Sequence, residues 1–302
     1  MRTMFAHSPA VSSPLKTPRL RLILALSLFA AQVGPGFSQT RLERPIMMDG
    51  DGPDLFVLDS AGTLHEFQVA QDSLTENGRI FLPSTVTPAD MTYAVSGGQR
   101  SVLIAGSQMG RGLVTMYSLD GRSVRTWNFR NICSGIDFGP RSHTAYVAMS
   151  DSNEIYRLDT QGTESTYVSR IPNATKLGPL AFDEANQIIY IADVAVGAIY
   201  KYSIATKSTT VLASDLSAPT AVSFDPEAGR LYVADPGRRG IFIVDVRSSK
   251  PIATGFVSAP LRSPYGMALL SNARLAVADY GANSIVIFSD KGALLFQFPP
   301  AN

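Results

Sequence analysis

The sequence predicts an all-β protein, a six-bladed β-propeller built of four-stranded antiparallel blades, on the basis of three observations. A short motif of an aromatic or aliphatic residue, Val or Ile, a small residue and Asp recurs along the chain. Its six copies are spaced by 42 to 47 residues, close to the length of a four-stranded propeller blade. Short apolar stretches alternate with turns rich in Gly, Pro, Asn and Asp, and no repeat shows a sustained helical stripe.

The motif marks the second strand of each repeat. Its clear copies are Tyr190–Asp193, Tyr232–Asp235 and Ala276–Asp279, and its weaker copies end at Asp59, Gly106 and Met149. The first repeat is expected to place strands at 45–48, 54–59, 63–67 and 79–82, and the fifth at 220–224, 230–235, 240–246 and 251–256. The blades are expected at about 44–87, 88–131, 132–174, 175–217, 218–262 and 263–302.

A single sheet of this size cannot bury its apolar face, whereas a closed circle of sheets can. Small residues before the motif Asp, such as Ala192, Ala234 and Ala278, allow neighbouring sheets to approach closely. The first repeat begins with a first strand and the last ends with a fourth strand. We therefore expect the ring to close by packing of blade six on blade one, without a strand donated by the N-terminal segment.

The Asp that ends the motif has two interpretations. Four carboxylates (Asp59, Asp193, Asp235 and Asp279) could surround one face as a functional ring. Alternatively, each could accept backbone N–H bonds within its own turn, as Asp commonly does. Repetition at equivalent positions favours the structural role, because a catalytic site is expected to break the symmetry of the ring.

The composition describes a globular domain. Of 302 residues, 45% are hydrophobic and 17% charged, with a net charge of +1. We expect no nucleic-acid partner, because such a partner requires a clustered basic surface. The single cysteine, Cys133, cannot form an intrachain disulfide, and we expect it to be a buried small hydrophobe. Trp127 is expected on an outer strand, covering the next blade.

Residues 1–38 have the features of a signal peptide, and the propeller is expected to occupy residues 39–302. A basic start precedes an apolar run of ten residues at 22–31, and a membrane-spanning helix needs about 20. Cleavage after Ser38 would give an exported protein, periplasmic or secreted, with no membrane span. An uncleaved N-terminal anchor is the alternative. We expect the exported protein to be a monomer.

The segment 49–54 reads Asp-Gly-Asp-Gly-Pro-Asp, so three carboxylates are separated by glycines. Asp49, Asp51 and Asp54 could supply oxygen ligands to calcium, and the segment resembles the calcium loops of integrin-type propeller repeats. It does not fit the EF-hand pattern, because Ser60 stands where that loop requires Glu. The alternative is a Gly/Asp turn between two strands, which we favour since the other repeats lack the motif. No cofactor is predicted, and calcium remains an open alternative.

The loop face is the end of the ring that carries the linkers into the first strands and the turns between second and third strands. Function in propellers usually lies on this face. The candidate binding residues there form a basic and aromatic cluster of Arg238, Arg239, Arg262, Tyr265 and Tyr280. Asp90, Ser134 and Lys176 are expected on the same face. The cluster could bind an anion or a polar polymer, and an ordinary solvated turn is the alternative.

Two segments resemble known propeller repeats. Residues 277–288 look like an NHL repeat, and residues 146–156 are similar to the YVTN variety of repeat. The resemblance covers about 44–302 and implies membership of the SMP-30/TolB-like propeller superfamily. Its relatives include binding scaffolds, SMP-30/gluconolactonase-like hydrolases and peptidyl-hydroxyglycine lyases, so that the fold does not determine the activity.

The resemblance to the hydrolases implies a central divalent metal held by a Glu and by Asn or Asp side chains. Glu43 and Asp90 are the only matching candidates, and two oxygen ligands are too few for such a site. The lyases need several His residues for zinc, and only His65 and His143 follow the signal peptide. The sequence therefore favours non-enzymatic binding of a protein or an extracellular polymer by the loop face. An SMP-30-type metal-dependent hydrolase is the second hypothesis, and an assembly role in the cell envelope is the third.

Overall fold

The computed structural model describes residues 42–83, 86–257 and 259–299. The signal-peptide prediction for residues 1–38 lies outside the described residues. The described chain is a six-bladed β-propeller of four-stranded antiparallel blades, which confirms the predicted fold class. The only helix in the described ranges is a short 3-10 turn at Ser271–Ala273. None of the helical structure described is long or apolar enough to cross a membrane.

The strands follow the repeats in chain order. Blades one and two contain β1 (Pro45–Asp51), β2 (Asp54–Asp59), β3 (Thr63–Val69), β4 (Leu74–Phe81), β5 (Thr87–Ser96), β6 (Gln99–Gln108), β7 (Arg111–Ser118) and β8 (Ser123–Phe129). Blades three and four contain β9 (Cys133–Gly139), β10 (Thr144–Met149), β11 (Glu154–Asp159), β12 (Ser165–Arg170), β13 (Leu177–Asp183), β14 (Ile188–Asp193), β15 (Ala198–Ser203) and β16 (Ser208–Ala213). Blades five and six contain β17 (Ala221–Asp225), β18 (Arg230–Asp235), β19 (Gly240–Asp245), β20 (Thr254–Gly255), β21 (Pro264–Leu269), β22 (Leu275–Asp279), β23 (Ser284–Phe288) and β24 (Leu294–Phe298).

Two outer strands differ from the sequence prediction. β4 begins at Leu74 rather than near residue 79. Asn77 forms a bulge opposite Glu66 and Phe67, so β4 stays paired with β3 both before and after the bulge. β20 has only two residues, and in the segment before it the Ala253 N–H bonds to the Asp215 side chain instead of to β19. Pro251, which has no N–H to donate, precedes it.

The second repeat departs from the motif for a steric reason. A Cβ at Gly106 would lie 2.3 Å from the carbonyl oxygen of Thr87, so no Asp fits there. The turn that joins β6 to β7 has two residues, Met109 and Gly110, both with positive φ. Such a turn matches the twist of paired strands, and β6 and β7 extend to meet it.

Six apolar clusters hold the ring together, one between each pair of neighbouring blades. Between blades six and one, Ala278 and Ile287 pack with Val57 and Phe67. β1 pairs with β2 of its own blade, and the four strands of blade six all come from the C-terminal repeat. The structure therefore confirms closure by packing without a donated strand, as far as the described residues extend. Trp127 is buried in the cluster between blades two and three, as expected.

The motif aspartates have a structural role, as the repetition predicts, because their carboxylates accept backbone N–H bonds. Asp235 is 0% exposed and accepts N–H bonds from Ser217 and Ala218 in the linker and from Arg238 in its own turn. Asp193 and Asp279 make the same three kinds of bond in their blades. Each carboxylate thus ties the start of a blade to the turn between its second and third strands.

The motif aspartate of blade one also holds a buried histidine. His65 lies between Asp59, at 3.1 Å from its Nε2, and Glu76, at 2.8 Å from its Nδ1. Burial would lower the pKa of His65, but the hydrogen bonds to the two carboxylates outweigh burial and raise it above its usual value. The histidine is therefore part of the fold of blade one.

Candidate functional site

A cavity of about 580 Å³ lies at the centre of the ring. The first strands of all six blades contribute to its wall, and it opens on the loop face between the linkers. Most of the lining is apolar, including Met47, Ile132, Pro179, Pro219 and Val222. A concave site of this size with few polar groups is typical of a small-molecule or side-chain binding site.

The polar groups of the wall are concentrated in blades one to three. Asp49, Asp90 and Asp137, the inner carboxylates, lie on β1, β5 and β9 and are partly exposed to the cavity. Blades four to six contribute no carboxylate to the described lining. Lys176, at the mouth, is the one basic residue among the described lining residues. The cavity therefore has an acidic half and an apolar half.

Each inner carboxylate bonds to the next blade. Asp49 accepts the N–H of Tyr93 at 2.7 Å, Asp90 that of Ile136 at 3.0 Å and Asp137 that of Phe182 at 2.7 Å. The other oxygen of each accepts the N–H of the following residue in its own strand. These bonds fix the orientation of the three carboxylates and join four consecutive blades near the axis.

A threonine connects two of the inner carboxylates. The Thr92 hydroxyl is 3.0 Å from an oxygen of Asp49 and 3.4 Å from an oxygen of Asp137. The hydroxyl therefore bridges the inner carboxylates of blades one and three.

Burial raises the pKa of all three inner carboxylates, although their N–H bonds act in the opposite direction. The pKa of Asp49 is raised to about 6, that of Asp137 to about 7 and that of Asp90 to about 8. Repulsion from Asp137 and Asp49 adds to the effect of burial at Asp90. Carboxyl groups with such values in a cavity are typical of functional sites, because they change charge near neutral pH.

The predicted basic and aromatic cluster is only partly assembled. Tyr265 lines the cavity, and its ring is 5.5 Å from that of Tyr280. Arg44, which the sequence did not single out, bonds to the Tyr280 hydroxyl at 3.1 Å and lies over its ring. Arg238 instead stacks on Phe242, at 4.0 Å from the ring centroid, and bonds to the Asp215 carbonyl.

The other predicted basic residues, Arg239 and Arg262, are exposed on the turn and linker where the sequence places them. Ser134 and Lys176 line the cavity, as does Asp90. Cys133 also borders the cavity, but it is buried, and burial raises the pKa of its thiol to about 12. That thiol is consequently a weak nucleophile.

The candidate metal ligands do not converge. Asp49 lies in the cavity wall, whereas Asp51 and Asp54 pair across the end of the β1–β2 hairpin. Asp54 also forms an ion pair with Arg100 at 2.8 Å. The backbone of Glu43 bonds to Asp59, and Glu43 is not among the residues that line the cavity with Asp90. Within the described ranges, no three His, Cys, Asp or Glu residues are grouped closely enough to hold a metal ion.

The strand register contains the signal that sequence reasoning missed. Asp49 pairs with Phe56 and Asp137 with Tyr146, and in both cases the partner is the first residue of the repeat motif. Thr92 occupies the same position opposite Leu103. Reading the residue opposite the first motif position in each repeat would have brought these three polar side chains together.

The chain matches no protein-family model, and no curated protein matches it. Solved structures share the fold at low identity. Virginiamycin B lyase from Staphylococcus aureus is 14% identical with a TM-score of 0.55, over 85% of each chain. A chain of the nidogen–laminin complex is 13% identical with a TM-score of 0.65, over 85% of this chain and 93% of that one. An auxiliary nutrient binding protein from Bacteroides thetaiotaomicron is 12% identical with a TM-score of 0.62, over 80% of this chain and 68% of that one. These likenesses define the class of fold, a six-bladed β-propeller, and identify no activity.

Proposed function

We propose that this chain is an exported, non-enzymatic binding protein. Its loop face holds a protein segment or an extracellular polymer, and a group of that partner enters the central cavity. The cavity is the observation that carries the proposal, because it opens on the loop face and its wall is mostly apolar with a few fixed polar groups. Export is supported by the pattern of residues 1–38. Detection of the basic segment on the exported protein by mass spectrometry would refute cleavage.

The rim of the cavity adds a contact surface of suitable chemistry. Tyr265 is 41% exposed, Tyr280 stands beside it, and Arg44 extends the pair toward blade one. Tyr and Arg are enriched among the residues that dominate binding energy at interfaces. Among proteins of this fold, the nidogen–laminin complex and a nutrient binding protein illustrate binding roles.

Blocking the cavity tests the proposal. Ala89 is exposed at the cavity wall, so Ala89→Trp would place an indole in the opening. Partners are selected with wild-type protein from a displayed peptide library and a panel of polysaccharides. We expect the selected partner to bind A89W at least tenfold more weakly, a loss of about 1.4 kcal/mol. Ser249 is exposed in the connection between β19 and β20, at the end of the ring opposite the loop face. Ser249→Trp is therefore the matched control. Equal binding by A89W would contradict the proposal.

The second candidate is an SMP-30-type metal-dependent hydrolase. One observation favours an enzyme, namely that the pKa of Asp90 and of Asp137 lies near neutrality in a cavity. Asp90 and Asp49 are the two predicted metal ligands that line the cavity. Lactone turnover with a stoichiometric divalent ion, abolished by Asp90→Asn, would support the hydrolase over the binding protein.

A further inference from the structure

We propose that the central cavity selects a cationic group with an apolar body, such as an ammonium on a hydrocarbon chain. The inference rests on the proposed function and specifies the chemistry of the group that enters the cavity. The inference is based on the uneven distribution of charge in the cavity wall. Blades one to three contribute three carboxylates, and the described lining residues of blades four to six include none.

The apolar half provides room for the body of the group. Pro179, Pro219, Val222 and Met267 offer hydrocarbon surface from three consecutive blades. Burial of such surface against an apolar ligand is favourable in proportion to the apolar area removed from water. The free volume of about 580 Å³ admits a chain of several carbons or an aromatic ring.

The acidic half provides acceptors for the charge. An ionised carboxylate has about four lone-pair positions. The described contacts of Asp90 fill two of them, with the N–H groups of Met91 and Ile136. Asp137 has a similar pair of backbone bonds and a longer contact to the Thr92 hydroxyl. Acceptor positions therefore remain on carboxylates whose orientation the backbone has already fixed.

The same carboxylates discriminate against other ligands. A neutral apolar group would remove them from water without supplying a partner, which is costly. An anion would be repelled by as many as three negative charges. A cation forms charge-assisted hydrogen bonds, which are the stronger kind. Lys176, at the mouth, reduces this selectivity only at the entrance.

Three probes of equal length test the inference by calorimetry at pH 8.5, namely hexylammonium, hexanol and hexanoate. We expect wild-type protein to bind hexylammonium at least tenfold more tightly than hexanol or hexanoate. Asp90→Asn and Asp137→Asn should each weaken hexylammonium about tenfold or more, as expected for loss of a hydrogen bond to a charged group. Asp72→Asn, at an exposed position between β3 and β4, is the matched control and should bind as wild type does.

The inference is overturned if hexanol or hexanoate binds as tightly as hexylammonium, if the Asn variants retain full affinity, or if no probe binds. Thermal unfolding of each variant verifies that it is folded. The proposed function is judged separately by the A89W experiment. If A89W loses its partner but wild-type protein shows no preference for hexylammonium, the binding function stands and the cationic ligand is refuted.

Discussion

Replacing Asp235 by Ala is expected to lower the free energy of unfolding by roughly 3–5 kcal/mol, since hydrogen bonds to a charged group contribute about 1.5–3 kcal/mol each. The Asp235 carboxylate is 0% exposed and accepts three backbone N–H groups at 2.7–3.2 Å. Alanine would leave the N–H groups of Ser217 and Ala218 without this acceptor, whereas the Arg238 N–H would keep its bond to the backbone carbonyl of residue 235. The linker would therefore be loosened from the turn. Urea unfolding monitored by circular dichroism gives the measurement.

Asp245 provides the matched control for this substitution. It ends β19 of the same blade, but it is exposed and accepts one N–H, from Arg247. Asp245→Ala should therefore change the free energy of unfolding by no more than about 1 kcal/mol. Similar losses for the two variants would show that the motif aspartate has no special role in fastening the blade.

The fold could be predicted because the repeat presents the same local pattern six times. Errors in one copy, such as the late start assigned to β4, did not alter the blade count. The role of the motif Asp was also predictable, since hydrogen bonding of Asp to nearby backbone is local chemistry. Gly106 could not be explained from sequence, because the contact that excludes a side chain involves Thr87 on the adjacent strand.

The candidate site was less accessible to sequence reasoning, because its geometry joins residues distant along the chain. Asp49 looked like part of a glycine-rich turn, yet it is a strand residue that bonds to Tyr93 in the next blade. Asp137 has no unusual neighbours in sequence, and its raised pKa depends on burial in the assembled ring. Arg44 meets Tyr280 only because blades one and six close the circle.

Replacing Asp90 by Asn is expected to stabilise the protein at high pH. The pKa of Asp90 in the folded state is about 8, whereas an aspartate carboxyl ordinarily has a pKa of 3.8. Between these values the folded state binds more protons than the unfolded state, so the free energy of unfolding falls as pH rises. Asn is neutral at every pH, and the substitution also removes repulsion toward Asp137 and Asp49.

The expected outcome is a crossing of two stability curves. At pH 8.5, Asp90→Asn should be more stable than wild type by on the order of a few kcal/mol, since one pKa unit corresponds to 1.36 kcal/mol. At pH 5 the wild-type carboxyl is protonated, and the variant should be slightly less stable, because a single amide oxygen replaces two acceptors. Denaturant unfolding at both pH values provides the measurement, and Asp72→Asn should follow the wild-type curve.

The effect of His65 on the pH dependence of stability has to be distinguished from that of Asp90. The raised pKa of His65 stabilises the folded state below the usual histidine value, and this stabilisation is lost as pH rises through the folded value. The histidine therefore also makes the free energy of unfolding fall as pH rises. Asp90→Asn leaves this contribution in place, and His65→Gln removes it. A stability difference between wild type and Asp90→Asn that is equal at pH 5 and pH 8.5 would contradict the assignment. The predicted gain in stability, combined with loss of hexylammonium binding, would mean that the ring keeps an unfavourable buried charge for the sake of its ligand.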